Sequence, residues 1–250
     1  MRRLDVQIPA PDGHSRGTLH VPDGEGPWPG VLLFPDAGGF REVMRLMGDQ
    51  LAGMGYLTLV PDIYYRGGDW APFDMATLFT NAEERARMGG LMAGLTNDAI
   101  IADAGAYADF LLARPEATGS AIGTTGYCLG GRMSLIAAGG LGDKIAAAAS
   151  FHGGRIAVEG DPSSPHLLAD RITATVYAAG ATDDGSFTPE QAELLDHALT
   201  TAGVDHTIEF YPAHHGFAVA DNPTYDTAAA ERHWTALRQL YGAHLSSSAG

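Results

Sequence analysis

The chain has one cysteine and one lysine among its 250 residues. The lone cysteine, Cys128, cannot close an internal disulfide, which fits a reducing compartment or a site where the thiol itself acts. Cations are scarce altogether: 15 basic residues face 30 acidic ones, for a formal net charge of -15. No basic stripe offsets that mean field, so a phosphate backbone would be repelled and nucleic acid is not an expected partner. Long hydrophobic runs are missing too. No uncharged apolar stretch approaches the ~18 residues of a membrane span, and Met1-Arg2-Arg3-Leu4-Asp5 opens no apolar signal segment. The expectation is a soluble, cytoplasmic protein with no membrane partner.

What is present is an ordinary globular composition, 45% hydrophobic and 18% charged, with 33 glycines and 14 prolines placed as punctuation. Short apolar runs bounded by Gly, Pro and Asp alternate with segments of helical period, the pattern of an α/β domain built on a mostly parallel, twisted sheet flanked by helices. Residues 4–8 and 16–21 read as an antiparallel pair around Pro11-Asp12-Gly13. Buried strands are expected at 30–34, 57–60, 121–125, 145–151, 172–179 and 207–211. Helices are expected at 41–54, near 81–88, and at 97–113, 129–138, 189–201 and 227–241. Periodicity fails between Ile63 and Thr96, and an excursion of that length inside a compact domain is usually a functional cover. No repeat or linker divides the chain, so residues 1–245 are taken as one domain and 246–250 as a frayed tail.

The densest motif is Gly126-Tyr127-Cys128-Leu129-Gly130-Gly131, set between a strand and a helix. Gly-x-Cys-x-Gly in that context is a nucleophile elbow with sulfur in place of oxygen, where flanking glycines let strand and helix approach closely. At a helix N-terminus unsatisfied amides favour the thiolate. The bland alternative is an inert buried Cys. A thiol nucleophile needs a base, and the base an orienting acid. In chain order the candidates are Asp183 or Asp184, then His214-His215. His215 is chosen because Gly216 lets the loop turn directly behind it. Asp183 lies nearer the strand end and Asp184 nearer the Ser186-Phe187-Thr188-Pro189 turn, so the sequence leaves both acids open. The oxyanion hole is expected from the backbone N–H of Leu129 and of Ala37 in Asp36-Ala37-Gly38-Gly39. Tyr64, Tyr65, Trp70 and Phe73 either roof a pocket or anchor their loop to the core, the commoner role. His152 either lines the same pocket or is a satisfied structural histidine, again the commoner case.

These residues resemble the dienelactone hydrolase family of the α/β-hydrolase fold. The cysteine elbow, His215-Gly216-Phe217 and Pro61-Asp62-Ile63-Tyr64-Tyr65-Arg66 are similar to three family motifs, in order, within residues 4–242. The resemblance implies an ester or lactone hydrolase acting on a small molecule through a Cys-His-Asp triad, without cofactor or metal. It favours Asp184 as the acid, while an extra residue in that turn keeps Asp183 open. Two departures bear on substrate. Where the family's lactone-opening members place a Glu that contacts the resting thiol, Asp36 stands here. Of the two arginines that bind the substrate carboxylate there, Arg66 matches the first and Val219 replaces the second. Arg66 is therefore expected either to bind a substrate carboxylate or to be a structural arginine paired with one of the many acids.

Other functions fit less well. The glycines match neither G-x-G-x-x-G nor a lysine-containing phosphate loop, and no metal-ligand spacing such as H-E-x-x-H occurs. Thiol redox sensing lacks a resolving cysteine. The competitor from another class is a non-catalytic α/β-hydrolase-fold binding or sensor protein, which an intact Cys, Asp and His set disfavours. Substrate identity and oligomeric state are not written in the sequence.

Overall fold

The computed structural model describes residues 1–245; the tail expected at 246–250 lies outside them. Eight strands form one sheet: β1 (Arg2–Ala10), β2 (Gly13–Val21), β3 (Trp28–Phe34), β4 (Leu57–Pro61), β5 (Ala117–Tyr127), β6 (Ile145–Phe151), β7 (Thr175–Asp183) and β8 (His206–His214). Their spatial order is β1-β2-β4-β3-β5-β6-β7-β8. β1 and β2 pair antiparallel, as does β2 with β4, and every other neighbouring pair is parallel. The expected mostly parallel α/β architecture is what forms.

Burial explains the strand sequences. In β3, Val31, Leu32, Leu33 and Phe34 are fully buried, because helices cover both faces of a parallel sheet and its strands need apolar residues in unbroken runs. Each such side chain removed from water contributes ~1.5–3 kcal/mol. The helices are α1 (Glu42–Gly53), α2 (Ala82–Met92), α3 (Asn97–Leu112), α4 (Leu129–Leu141), α5 (Pro189–Ala202) and α6 (Thr227–His244), and all but α2 bury a face. α1 buries Met44, Met47 and Leu51 along one stripe, the spacing read from the sequence. Thr96, Thr188 and Asp226 cap α3, α5 and α6 through side-chain oxygens that accept first-turn amides.

Two boundaries differ informatively from the sequence reading. Residues 165–171 form a 3-10 turn, so β7 begins at Thr175 and not at 172. At the other end β7 and β8 each run further than their apolar runs, and Asp183 pairs with His214 as a last rung. Polar residues at a sheet's end read as loop, yet the ladder continues there because backbone pairing does not depend on side-chain polarity.

Chain order reverses across the middle of the sheet: β3 is followed by β4 on one side, while β5 lies on its other side. The loops leaving β3 and β5 therefore diverge and open a crevice at the carboxyl ends, where ligands bind in open α/β sheets. Cys128 and the loop from Asp36 to Gly39 flank that crevice. Among the described residues no helix is long and apolar enough to cross a membrane.

Candidate active site

Cys128 follows β5 directly and is the N-cap of α4, with φ of 54° and ψ of -115°. A non-glycine residue held there carries strain of ~1–3 kcal/mol, sustained only where the surroundings over-determine it. The surroundings are visible in the glycines. A Cβ on Gly126 would overlap the Gly130 carbonyl, and one on Gly130 would overlap the Phe34 and Pro35 carbonyls. Strand β5, the first turn of α4 and the end of β3 thus meet backbone to backbone, as the Gly-x-Cys-x-Gly spacing requires. That approach brings the first turn of α4 against Phe34 and Pro35, the residues that lead into the loop from Asp36 to Gly39.

His215 lies one residue past β8. Its Nδ1 donates to Asp184 Oδ2 at 2.6 Å, and the Cys128 thiol lies close enough to the ring to act on its charge. Gly216 behind it has φ of +94°, the left-handed turn that lets the imidazole face inward. Thr224 Oγ1 donates to the His215 carbonyl at 2.5 Å, fixing the loop. Asp184 is anchored in turn: its Oδ1 accepts Ser186 N–H at 2.8 Å and Ser186 Oγ–H at 2.6 Å. Burial raises the Asp184 pKa, but the bonds from His215 and Ser186 outweigh it and hold the carboxylate below its ordinary value. Burial lowers the His215 pKa, yet Asp184 and Cys128 push it up to about 10. An imidazole that holds a proton beside a carboxylate and a thiol can give that proton to a leaving group and take it back from water.

The second acid and histidine form a pair of their own. His214 Nδ1 lies 2.8 Å from Asp183 Oδ2, with side chains 63% and 76% exposed, while the Asp184 side chain is 3% exposed. Of the two acids the sequence left open, Asp184 is the one in contact with His215.

The residues expected to bind substrate are otherwise engaged. Asp36 is 2% exposed; its Oδ1 accepts Gly38 N–H at 2.9 Å and Arg41 Nη1–H at 2.6 Å, and its Oδ2 accepts Arg41 Nη2–H at 3.0 Å. Arg41 also donates to Asp221 through Nε at 2.8 Å and Nη2 at 2.7 Å. One guanidinium thereby ties the Ala37 loop to the segment after His215, a link between residues 180 apart that sequence spacing gives no sign of. Arg66 donates to Asp103 through Nη1 at 2.5 Å and Nη2 at 2.9 Å, and to Asp12 through Nε at 2.7 Å. Its fork is filled by protein carboxylates, the structural alternative weighed from sequence. Val219 is fully buried.

The aromatic segment behaves as an anchor at one end. Tyr64, Trp70 and Phe73 are buried in the core; Tyr64 Oη–H donates to the Ala37 carbonyl at 3.0 Å, and Trp70 Nε1–H to Asp62 Oδ2 at 2.9 Å. Trp70 and Met75 pack so closely on Gly39 and Gly38 that a Cβ on either glycine would collide with them. The segment therefore clamps the Ala37 loop, while α2 buries none of its residues. Sequence reasoning missed Ser186, Arg41 and Asp221. Only Ser186 had a signal, the Asp-x-Ser spacing of a side-chain-closed turn. Among the described residues no group of three or more His, Cys, Asp or Glu side chains is arranged to hold a metal ion.

Comparison with known proteins bears on the family and the fold. The profile of the dienelactone hydrolase family matches residues 16–245. A Synechocystis protein named "Putative carboxymethylenebutenolidase" is 28% identical over 249 residues, covering 96% of each chain. A solved dienelactone hydrolase-like promiscuous phosphotriesterase from metagenomic libraries has a TM-score of 0.79 at 26% identity, covering 98% of this chain and 99% of that one. A structure from Klebsiella pneumoniae, described as "Putative Dienelactone Hydrolase", gives 0.81 at 22% identity, covering 96% and 98%, a likeness of fold.

Proposed function

Because the chain belongs to the dienelactone hydrolase family and is an ester or lactone hydrolase, we propose that it works through Cys128 as nucleophile, His215 as acid and base, and Asp184 as the group that orients His215. The observation that carries this reading is the 2.6 Å bond from His215 Nδ1 to buried Asp184, with Cys128 held at the strand-to-helix elbow and close enough to act on the His215 charge.

The thiolate attacks the carbonyl carbon of a small ester or lactone, and the C=O electron pair moves onto oxygen. The N–H groups of Leu129 and Ala37 donate to that developing oxyanion. Collapse of the intermediate breaks the ester C–O bond; the His215 imidazolium gives its proton to the leaving alkoxide, and a thioester remains on Cys128. Water then attacks the thioester while neutral His215 takes its proton. The acid departs, the thiolate is restored and the imidazolium re-forms. Asp184 stays ionised throughout and fixes the tautomer of His215.

Asp36 and Arg66, held in ion pairs, belong to the scaffold in this scheme, so nothing selects for a carboxylate on the substrate. Small neutral esters and lactones are the proposed substrates. The lone thiol suits a reducing compartment such as the cytoplasm. Mass spectrometry after a reactive aryl ester should place the acyl group on Cys128, and Cys128→Ala should cost several orders of magnitude in kcat. A label elsewhere, or an active Cys128→Ala, refutes the scheme. A fully folded protein that turns over no small ester or lactone would be a binding protein built on this fold.

A further inference from the structure

His152 lies one residue past β6 and is fully buried. Its N–H donates to the Ala179 carbonyl of β7 at 2.7 Å, and its φ is +40°, a left-handed conformation uncommon outside glycine but held more readily by histidine, asparagine and aspartate than by other side chains. Its Nδ1 accepts the backbone N–H of Cys128 at 3.1 Å, an amide that the Phe151 carbonyl also accepts at 3.1 Å. The ring meets His215 at a centroid distance of 5.1 Å and 63°, and Phe217 at 4.9 Å and 80°. A nitrogen that accepts carries no proton, so the neutral ring holds its proton on Nε2. That atom is buried without a partner.

Two unfavourable features thus coincide beside the nucleophile, a strained backbone and an orphaned donor. A phenylalanine would fill the same space without the orphan. Besides its greater tolerance of positive φ, histidine has the Nδ1 acceptor that phenylalanine lacks, and that acceptor is aimed at the amide of Cys128. The direction of the thiol follows from the backbone angles of Cys128, and the partner of that thiol is the ring against which His152 packs.

We propose that His152 is a positioning residue for the hydrolytic reaction: as a neutral, Nε2-protonated ring it holds the Cys128 peptide through Nδ1 and braces the His215 ring with its own. The inference rests on the Cys128–His215–Asp184 scheme above. Burial, then His215 and His233, disfavour charge on the ring, and the opposing pull of Asp184 does not reverse them, so its pKa lies well below the ordinary histidine value. A charged ring would carry a proton on Nδ1 and could not accept the Cys128 amide.

The test uses the full chain. His152→Phe keeps ring volume and removes the acceptor, whereas His152→Asn supplies a side-chain oxygen and tolerates positive φ. His152→Phe should lower kcat on an aryl ester, and the rate of Cys128 alkylation by iodoacetamide, about tenfold with KM within about twofold. His152→Asn should restore most of both. Wild-type alkylation and kcat in His152→Phe, or equal impairment in the two variants, would overturn the proposal. Nitrogen NMR of the wild-type histidines needs no variant to fold: a proton on Nε2 and none on Nδ1 from about pH 5 to pH 9 supports it, and a proton on Nδ1 overturns it. Failure of the underlying scheme would show differently, as turnover that survives Cys128→Ala.

Discussion

Two Asp–His pairs stand side by side at the ends of β7 and β8, built from consecutive residues and nearly equal in length. Asp184 and His215 are 2.6 Å apart, Asp183 and His214 2.8 Å. The difference lies in where the strands aim them. Asp183 and His214 form the last rung of the ladder, and side chains one step further along a strand point to the opposite side. The rung pair faces water. The pair beyond it turns inward, where Asp184 gains Ser186 and His215 gains the thiol. A contact between an acid and a histidine therefore carries little information by itself; burial and the neighbouring thiol are what set the inner pair apart.

Removing the two acids in turn should give the largest contrast. Asp184→Asn is expected to lower kcat about 10³ to 10⁴-fold, because the amide stabilises the wrong tautomer of His215. Asp183→Asn should stay within about twofold, as befits an exposed pair. Steady-state kinetics on one aryl ester decides it, and the reverse ranking would move the triad acid to Asp183.

The inner pair should also leave a mark on stability against pH. The folded pKa of His215 is raised to about 10, above the ~6.5 of an unfolded chain. A raised pKa means that the native state binds the proton more tightly, so the contribution is complete below pH ~6.5 and is lost as pH rises through about 10. Urea titrations should therefore show the stability gap between wild type and His215→Gln narrowing from pH 6 to pH 10. A gap that stays constant would mean that the folded chain does not hold the His215 proton.

Arg66 extends the comparison to the other side of the sheet, where a cation and two acids meet with no reacting atom among them. Arg66→Ala should cost roughly 1–3 kcal/mol of stability by leaving buried Asp103 with the Tyr65 hydroxyl but without a cation. The kcat/KM values for neutral and carboxylate-bearing esters should change equally. A selective rise in KM for the charged substrates would return Arg66 to the binding site.

The smallest effect is expected at His214. His214→Ala should fall within ±0.5 kcal/mol in a thermal or urea melt, the range of exposed sites, and should leave activity unchanged. A loss of activity there would show that the outer pair supports the inner one.

Much of the site was legible in the chain because its signals are local. The glycines around Cys128 mark a backbone crossing that tolerates no Cβ, and Gly216 marks the turn that releases His215. Alternating apolar runs and helical stripes likewise fixed the sheet and its helices, since periodicity records which faces are buried. The boundaries were less legible where polar residues extend the ladder of β7 and β8.

The sequence by itself determined the α/β architecture, the elbow around Cys128 and the later acid and histidine segments, because strand periodicity and turn chemistry act over a few neighbouring residues. Only the tertiary structure set Asp184, and not Asp183, against His215, gave Asp36 to Arg41 and Arg66 to Asp103, and set His152 against the Cys128 amide. Those outcomes depend on which charged or polar groups meet across the sheet. A carboxylate takes whatever donor the fold brings to it, and its own neighbours in the chain do not record which one that is.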